Sequence, residues 1–463
     1  MIPSLQLAIN FLRVEPSNRT AGSWLRLATN DAGASTCSVA CHSTGMVHNR
    51  TMVSTFGWIA TDARQRRNML EAIDQFKDET TVDDLGLGVI RDALSDTLFP
   101  GTSTLHTRVR YALFVPWLLQ LAAVQHTEVS SMRRAFDDSE FQLIDALSRG
   151  GETEGIIGRV AGKNLQRTAS SVYWGMMSQW RIFEPGFTVQ EFFERHLFRE
   201  QQRKAPQADD PEVGLDLVPT GINENLPPAP AGLLRSTDFT LRSEDAQFLR
   251  DSITFHVPGT LLAHLAQHRP PAWTDETSRP TYFAAPEITQ TLPPELHDTV
   301  TVVHKFSVAI HGASLLYNYI LARKTQRYDK DQPLEEYYAQ WMVDWFAEAK
   351  AVGIPDAAEQ RELWHIVQAA NRRLARNTIT FVEQWFDAVD AAERAEELWS
   401  SDALLERITL RERQKKGVRA RLNPNNRQAL DAWSGAAGTA RYTFRWEYVA
   451  QHLQDLYDAE EKA

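Results

Sequence analysis

The sequence predicts a mainly α, multi-helix globular fold with Pro-rich connecting segments and few short strands. Three observations predict it. Apolar residues recur at helical spacing over most of the chain after Asp62. Strands and helices nowhere alternate as βαβ units, and there is no internal repeat. The composition, 43% hydrophobic and 24% charged over 463 residues, is that of an ordinary globular protein with full cores.

The elements follow in order. Residues 1–51 are rich in Ser, Thr, Ala and Asn without sustained periodicity, and read as a disordered or non-native extension, with Met46 or Met52 as alternative starts. Asp62 can cap a helix running to Phe76. A second helix spans Asp84–Phe99 and stops at Pro100-Gly101. Thr104 can cap a third, from Leu105 towards Trp117, with Pro116 as a kink. Further helices are expected at Glu140–Leu147 and from Ser171 to Arg181. Residues 201–232 read as a Pro-rich linker, and His268–Pro294 as a second Pro-rich stretch. Between them, Ser243–Gln267 is helical but broken at Pro258-Gly259. Helical signals return at Val302–Arg323, Leu334–Ala351, Ala357–Ala391 and Arg441–Ala459. Short strands are expected near Val213–Val218 and Thr281–Ala284. The division that results is an N-terminal helical domain at 52–200, a linker region at 201–300 and a C-terminal helical domain with a basic segment at 301–463.

Charge and cysteine usage narrow the function classes. The net charge is −11 and the pI about 5.7. Nucleic-acid binding would therefore come from a local basic patch on an acidic body. Cys37 and Cys41 are the only cysteines, which excludes a disulfide scaffold and fits a reducing compartment. A metal site there would need more ligands than the nearby His42 and His48, so neither metal nor other cofactor is expected. Met1–Ile9 lacks the basic start and the cleavage site of a secretory signal. The longest apolar run, Ala112–Val124, is too short for a membrane span. The expected location is the cytoplasm, without a membrane partner.

Four segments could carry chemistry. On the Asp84–Phe99 helix, Leu87, Ile90, Leu94 and Leu98 form the core stripe. Asp92 and Asp96 lie one turn apart on the opposite face, beside Gly88. They are the candidate catalytic carboxylates; the alternative is that each pairs with Arg91, Arg108 or Arg110 as structural glue. The run Pro100–Arg108 places hydroxyls, His106 and Arg108 at an expected helix N-terminus, which suits a phosphate, although Thr102 or Thr104 could simply cap the helix and His106 lie on the surface. Only its Pro-Gly agrees with a helix-hairpin-helix motif.

The loop Gly158–Arg167 is basic through Arg159, Lys163 and Arg167, and lacks the ending of a nucleotide-binding loop. Tyr173 and Trp174 follow on a helix, where they could stack on a base or belong to the core. The strongest basic cluster is Arg411–Arg427, with Arg411, Arg413, Lys415, Lys416, Arg419 and Arg421 as candidate phosphate contacts; a solvated face is the alternative. Trp433, Arg441, Tyr442, Arg445 and Trp446 follow it and mix aromatic with cationic groups. His304 and His311 share a helix face, without a third ligand to make a metal site.

A resemblance adds to this reading. The segments Ser54–Ile59, Leu85–Asp92, Leu98–Thr104, Arg108–Tyr111, Phe114–Trp117 and Tyr173-Trp174 resemble a largely uncharacterised bacterial family that includes an antiviral DNA glycosylase. The resemblance starts at Met52 and covers most of the chain after it, and Leu98–Thr104 is its most distinctive piece. It implies removal of glucosylated hydroxymethylcytosine from double-stranded phage DNA. No catalytic residue is carried over from it. Asp92 and Asp96 come from the helix reading, and Arg108, Arg110, Arg159, Lys163 and the 411–427 run are the cations expected to hold phosphates. The alternative is a non-catalytic DNA-binding or scaffold subunit of a phage-defence complex, whose Pro-rich segments would meet partner proteins. A nuclease is disfavoured, because no metal-binding acidic motif with an adjacent Lys is present.

Overall fold

The computed structural model describes residues 83–204, 217–329, 332–370 and 373–460. The extension 1–51, the segment Ser54–Ile59, the helix expected at Asp62–Phe76 and most of the strand expected at Val213–Val218 lie outside the described residues.

Among the described residues there are sixteen α-helices and one short β-ladder, so the fold is mainly α. The first five helices are α1 (Gly88–Leu98), α2 (Tyr111–Gln125), α3 (Val129–Arg149), α4 (Ala169–Gln179) and α5 (Val189–Lys204). Then come α6 (Ser243–His256), α7 (Leu261–Gln267), α8 (Pro286–Thr289) and the long α9 (Pro294–Thr325). Strands β1 (Tyr328–Asp329) and β2 (Gln332–Pro333) pair antiparallel, Tyr328 opposite Pro333. The remaining helices are α10 (Leu334–Val352), α11 (Ala357–Ala369), α12 (Arg376–Ala391), α13 (Glu396–Ser400), α14 (Asp402–Lys416), α15 (Arg427–Asp431) and α16 (Trp446–Glu460).

Two helices are apolar nearly all round and become the centres of packing, as such helices must. Helix α2 buries every residue from Tyr111 to Leu119 and packs against α3, α4 and α5. Helix α9 packs against α10, α11, α12 and α14. It is the one described helix with the length and apolarity to cross a membrane, but 72% of its apolar window is buried inside the protein. That burial is the behaviour of a core helix.

The described residues belong to one compact unit, Thr61–Ala463, with one continuous core. The reason lies in α16. It packs on α6 and α7, and its buried Asp455 accepts from Arg108 Nε at 2.9 Å and from the Val109 amide at 3.1 Å. The C-terminal helix thus closes the N-terminal half.

The described parts of the Pro-rich stretches are straps on the core rather than exposed linkers. Proline-rich backbone forms few internal hydrogen bonds, so its carbonyls remain available as acceptors. Buried tryptophans use them: Trp117 Nε1 donates to Pro227 O at 2.7 Å and Trp446 Nε1 to Pro280 O at 2.8 Å. The strand expected at Thr281–Ala284 is instead a turn that buries Phe283.

The helix expected from Leu105 begins only at Tyr111, and residues 99–110 form turns. Pro116 lies inside α2. Ala357–Ala391 is two helices, and α5 and α14 were not anticipated because their charged faces obscure a narrow apolar stripe.

Close packing of α9 on α10 depends on Gly312. A Cβ there would lie 2.2 Å from the Trp345 ring, and Trp345 cannot yield easily because its Nε1 donates to Val308 O at 2.7 Å. Helix propensity alone would favour Ala over Gly by about 1 kcal/mol, but overpacking costs about 1–3 kcal/mol. Gly312→Ala is therefore expected to lower stability in urea or thermal unfolding; an unchanged or raised midpoint would contradict this packing.

Candidate functional site

The first wall of the site is α1. Asp83 starts it: Oδ1 accepts from Leu87 N at 2.5 Å and Oδ2 from Gly88 N at 3.0 Å. The expected stripe is the buried one, with Leu87, Ile90, Leu94 and Leu98 at 0–1% exposure. Asp92 and Asp96 stand half-buried on the other face, their side chains 38% and 35% exposed.

Asp84 fastens this wall to α14. It is buried, and pairs with Lys416 and with Arg421 Nη1 at 2.6 Å. Arg421 also donates to Tyr317 Oη at 3.2 Å, and Tyr317 Oη donates to the buried Glu412 at 2.7 Å. Burial pushes the Tyr317 hydroxyl far above the ordinary phenol range, and the Asp84 and Glu412 carboxylates add to this. It therefore stays a neutral donor.

The second wall is the irregular segment 437–445. Three polar side chains on one face of α9 hold its backbone. Asn318 Nδ2 donates to Ala437 O at 2.7 Å and its Oδ1 accepts from Ala437 N at 2.8 Å. His311 Nε2 bonds Thr439 O at 2.8 Å, and Ser307 Oγ donates to Tyr442 O at 2.7 Å. His311 is thus a structural donor, and among the described residues no three His, Cys, Asp or Glu side chains converge as a metal site.

Between the walls is a cleft of about 760 Å³. Arg91, Lys415, Arg441 and Arg445 bring positive charge to it, Asp83, Asp84 and Asp92 negative charge, and Tyr442, Phe444 and Tyr448 aromatic surface. Asp92 is held by its neighbour: Arg91 Nε and Nη2 both bond Oδ1, at 3.0 and 2.9 Å. Oδ2 makes no hydrogen bond with the described residues.

A second hollow of about 770 Å³ adjoins the cleft, with Ser103 and Arg445 common to both. Asp96, Thr102, His106 and Gln179 line it. Pro100–Ser103 of the distinctive run thus form part of its wall. Asp96 pairs with Arg445 Nη1 at 2.8 Å.

The structure brings some expected site residues together and separates others. Asp92 and Lys415 share the cleft, and Asp96 lies next door. Lys415 reaches Asp83 at 3.7 Å. Arg413, Arg419 and Arg159 are exposed. Lys416 and Arg421 are engaged with Asp84. Arg167 is half-buried in its loop, and the Lys163 side chain lies outside what is described.

Burial and pairing correct several expectations. Arg411 is buried and donates to Leu85 O, Gly86 O and Thr378 Oγ1, so it braces the entry to α1 instead of meeting a phosphate. Gly86, at φ +69°, permits this approach, because a Cβ would meet Arg411 Nη2 at 2.8 Å. Arg110 is buried against Asp238 and Asp245, and Arg108 is paired with Asp455. Tyr173 is fully buried, its hydroxyl accepting from Thr107 N and donating to Arg108 O. No base can stack there. Trp174 is half-buried against Phe183 and Phe187, with its indole N–H on Phe187 O.

The Pro100–Arg108 run also offers no helix N-terminus, since α2 starts later. His106 is not a surface residue: it is 1% exposed and stacked on Tyr173 at 4.2 Å. Its Nδ1 accepts from Ser103 N, which leaves Nε2–H to donate to Val172 O.

The groups that the sequence did not assign are Asp83, Asp84, Tyr317 and the 441–448 wall as a partner of Asp92. The aromatic and cationic mixture at 433–446 was the available signal. Nothing local says that it faces α1.

Residues 53–460 match the family described as Family of unknown function (DUF6361), and the chain belongs to that family. No curated protein and no solved structure matches it.

Three buried histidines give a pH signature. Burial lowers His106 to about 4 and His311 to about 4, and holds His452 well below the ordinary value. The unfolded chain binds these protons near pH 6.5, so their contribution is full above about pH 6.5 and is lost as pH falls towards about 4. The unfolding midpoint is expected to drop steadily across that window. His452→Leu, which removes one titrating ring, should flatten the slope; a pH-independent midpoint between about 6.5 and 5 would show that these rings charge freely in the fold.

Proposed function

We propose that this protein is a DNA glycosylase that acts in the cytoplasm on double-stranded phage DNA and removes glucosylated hydroxymethylcytosine to leave abasic sites. The observation that carries this reading is Asp92: a carboxylate with one oxygen held by Arg91 and the other without a described protein partner, in a cation-bearing, aromatic-walled cleft. A space of about 760 Å³ falls in the range of ligand sites and has room for an extruded nucleotide.

The chemistry needs few parts. As the bond from the sugar C1′ to the base nitrogen breaks, its electron pair leaves with the base and positive charge builds on the sugar. The Asp92 carboxylate stabilises that charge and orients the water that adds to C1′, accepting its proton. Arg91 fixes Oδ1 and so keeps the carboxylate oriented. The departing base takes up its proton from solvent, and Asp96, tied to Arg445 in the adjoining hollow, is the second candidate carboxylate. Arg413, Arg419 and Arg159 are exposed, and in this reading they meet DNA backbone outside the cleft.

The test uses purified protein with plain duplex and with duplex carrying glucosylated hydroxymethylcytosine, with and without a chelator, followed by alkali. Alkali-labile sites confined to modified DNA and insensitive to the chelator are expected. Asp92→Asn should slow their appearance by about 10²-fold or more with little change in thermal midpoint, because the Asp92–Arg91 pair is solvent-accessible. Full activity in that variant would remove Asp92 from the reaction. Direct breaks abolished by the chelator would indicate a nuclease, and binding without product a scaffold subunit.

A further inference from the structure

Arg445 occupies a backbone position that an arginine rarely takes. Phe444 and Arg445 are consecutive residues with φ +52° and +69°. Non-glycine residues in this region are uncommon, and two in succession persist only where the surroundings over-determine them. Here they do. Phe444 is buried edge-on against Phe283 at 5.4 Å. Trp446 is buried against Phe99 and Trp273, with its indole N–H on Pro280 O. Two aromatic anchors therefore fix the residues on either side and force Arg445 outward at the junction of the two hollows.

The guanidinium itself is half committed. Nη1 donates to Asp96 Oδ1 at 2.8 Å and to Thr102 O at 2.7 Å. Nε and Nη2 make no hydrogen bond with the described residues. The side chain is only 16% exposed, so it is held in place rather than solvated. A guanidinium fixed at one nitrogen, with Nε and Nη2 remaining, is suited to an acceptor that presents two oxygens side by side, as the non-bridging oxygens of a phosphodiester do. Such an acceptor would sit at the rim that Ser103 and Arg445 share between the cleft and the second hollow.

We infer that Arg445 is a phosphodiester-binding residue, which grips one backbone phosphate beside the nucleotide held in the Asp92 cleft. This rests on the glycosylase reading only for which nucleotide is held; the phosphate contact itself needs no catalysis. Arg445 is a positioning residue: it fixes where the sugar lies relative to Asp92 and does not touch the breaking bond. The left-handed backbone is the feature that a purely structural ion pair would not require, because Asp96 is reachable from an ordinary surface arginine.

The discriminating variant is Arg445→Gly, since glycine adopts φ +69° without strain. Arg445→Gln, which keeps the stem, is the second variant. Affinity is read by fluorescence anisotropy on a short labelled duplex carrying glucosylated hydroxymethylcytosine. The same duplex is also prepared with single neutral methylphosphonate linkages, placed one at a time around the modified base. Wild type should lose about tenfold or more at one linkage. Both variants should lose a similar factor on native DNA, be indifferent to that linkage, and show a salt dependence shallower by about 0.9 in log–log slope. Arg445→Gly should melt no lower than wild type.

Variants that keep the wild-type linkage profile would overturn the inference, as would an affinity loss in Arg445→Gly that comes with a lowered melting midpoint and no change in linkage profile. If wild type binds and shows this profile but releases no base, the glycosylase reading fails and the phosphate contact stands. If it releases base with Arg445→Gly as efficient as wild type, the reverse holds. No binding to any duplex removes both.

Discussion

A row of polar side chains inside an otherwise apolar helix holds this structure's site together. Ser307, His311 and Asn318 are spaced to share one face of α9, and each is buried where the core would otherwise be hydrocarbon. Segment 437–442 forms no helix or strand, so its buried backbone groups need partners from elsewhere. The α9 face supplies them at Ala437, Thr439 and Tyr442. A buried backbone group left unpaired costs about 1–3 kcal/mol, so the segment has strong reason to adopt this one path. That path carries Arg441, Tyr442, Phe444 and Arg445 to a position facing α1.

The opposite wall is held by charge instead. Arg411 grips the carbonyls of Leu85 and Gly86, while Lys416 and Arg421 converge on Asp84. Buried charges are tolerated only when paired and hydrogen-bonded, and here Asp84, Glu412, Tyr317 and Arg421 form one connected set. The basic segment therefore has two roles that its sequence does not separate. Cations turned inward brace the entry to α1, whereas Arg413 and Arg419 are exposed and Lys415 lines the cleft.

The two walls meet at Arg445, where the strained turn, the Asp96 pair and the Thr102 carbonyl come together. Strain held beside a cleft is a common sign of a site whose geometry matters more than its stability. The aromatic anchors Phe444 and Trp446 keep the turn from relaxing, and they connect it to the Pro-rich strap through Phe283 and Pro280. A segment that looks like a linker thus supports the rim of the site.

The sequence by itself determined the helical class, the buried stripe of α1, the placement of Asp92 and Asp96 on its other face, and the presence of a concentrated basic run. These are local properties: helical period, turn residues and charge density are all written within a few turns of chain. Only the tertiary structure decided which cations are free. Arg411 and Arg413 are two residues apart and read alike, yet one is buried beneath α1's entry and the other is exposed, because the carbonyls that Arg411 reaches, Leu85 O and Gly86 O, lie more than three hundred residues away in sequence. The same holds for the rim between the two hollows, where the Asp96–Arg445 contact joins positions 349 residues apart. Such pairings follow from how α9 and α16 pack, and no local pattern encodes that.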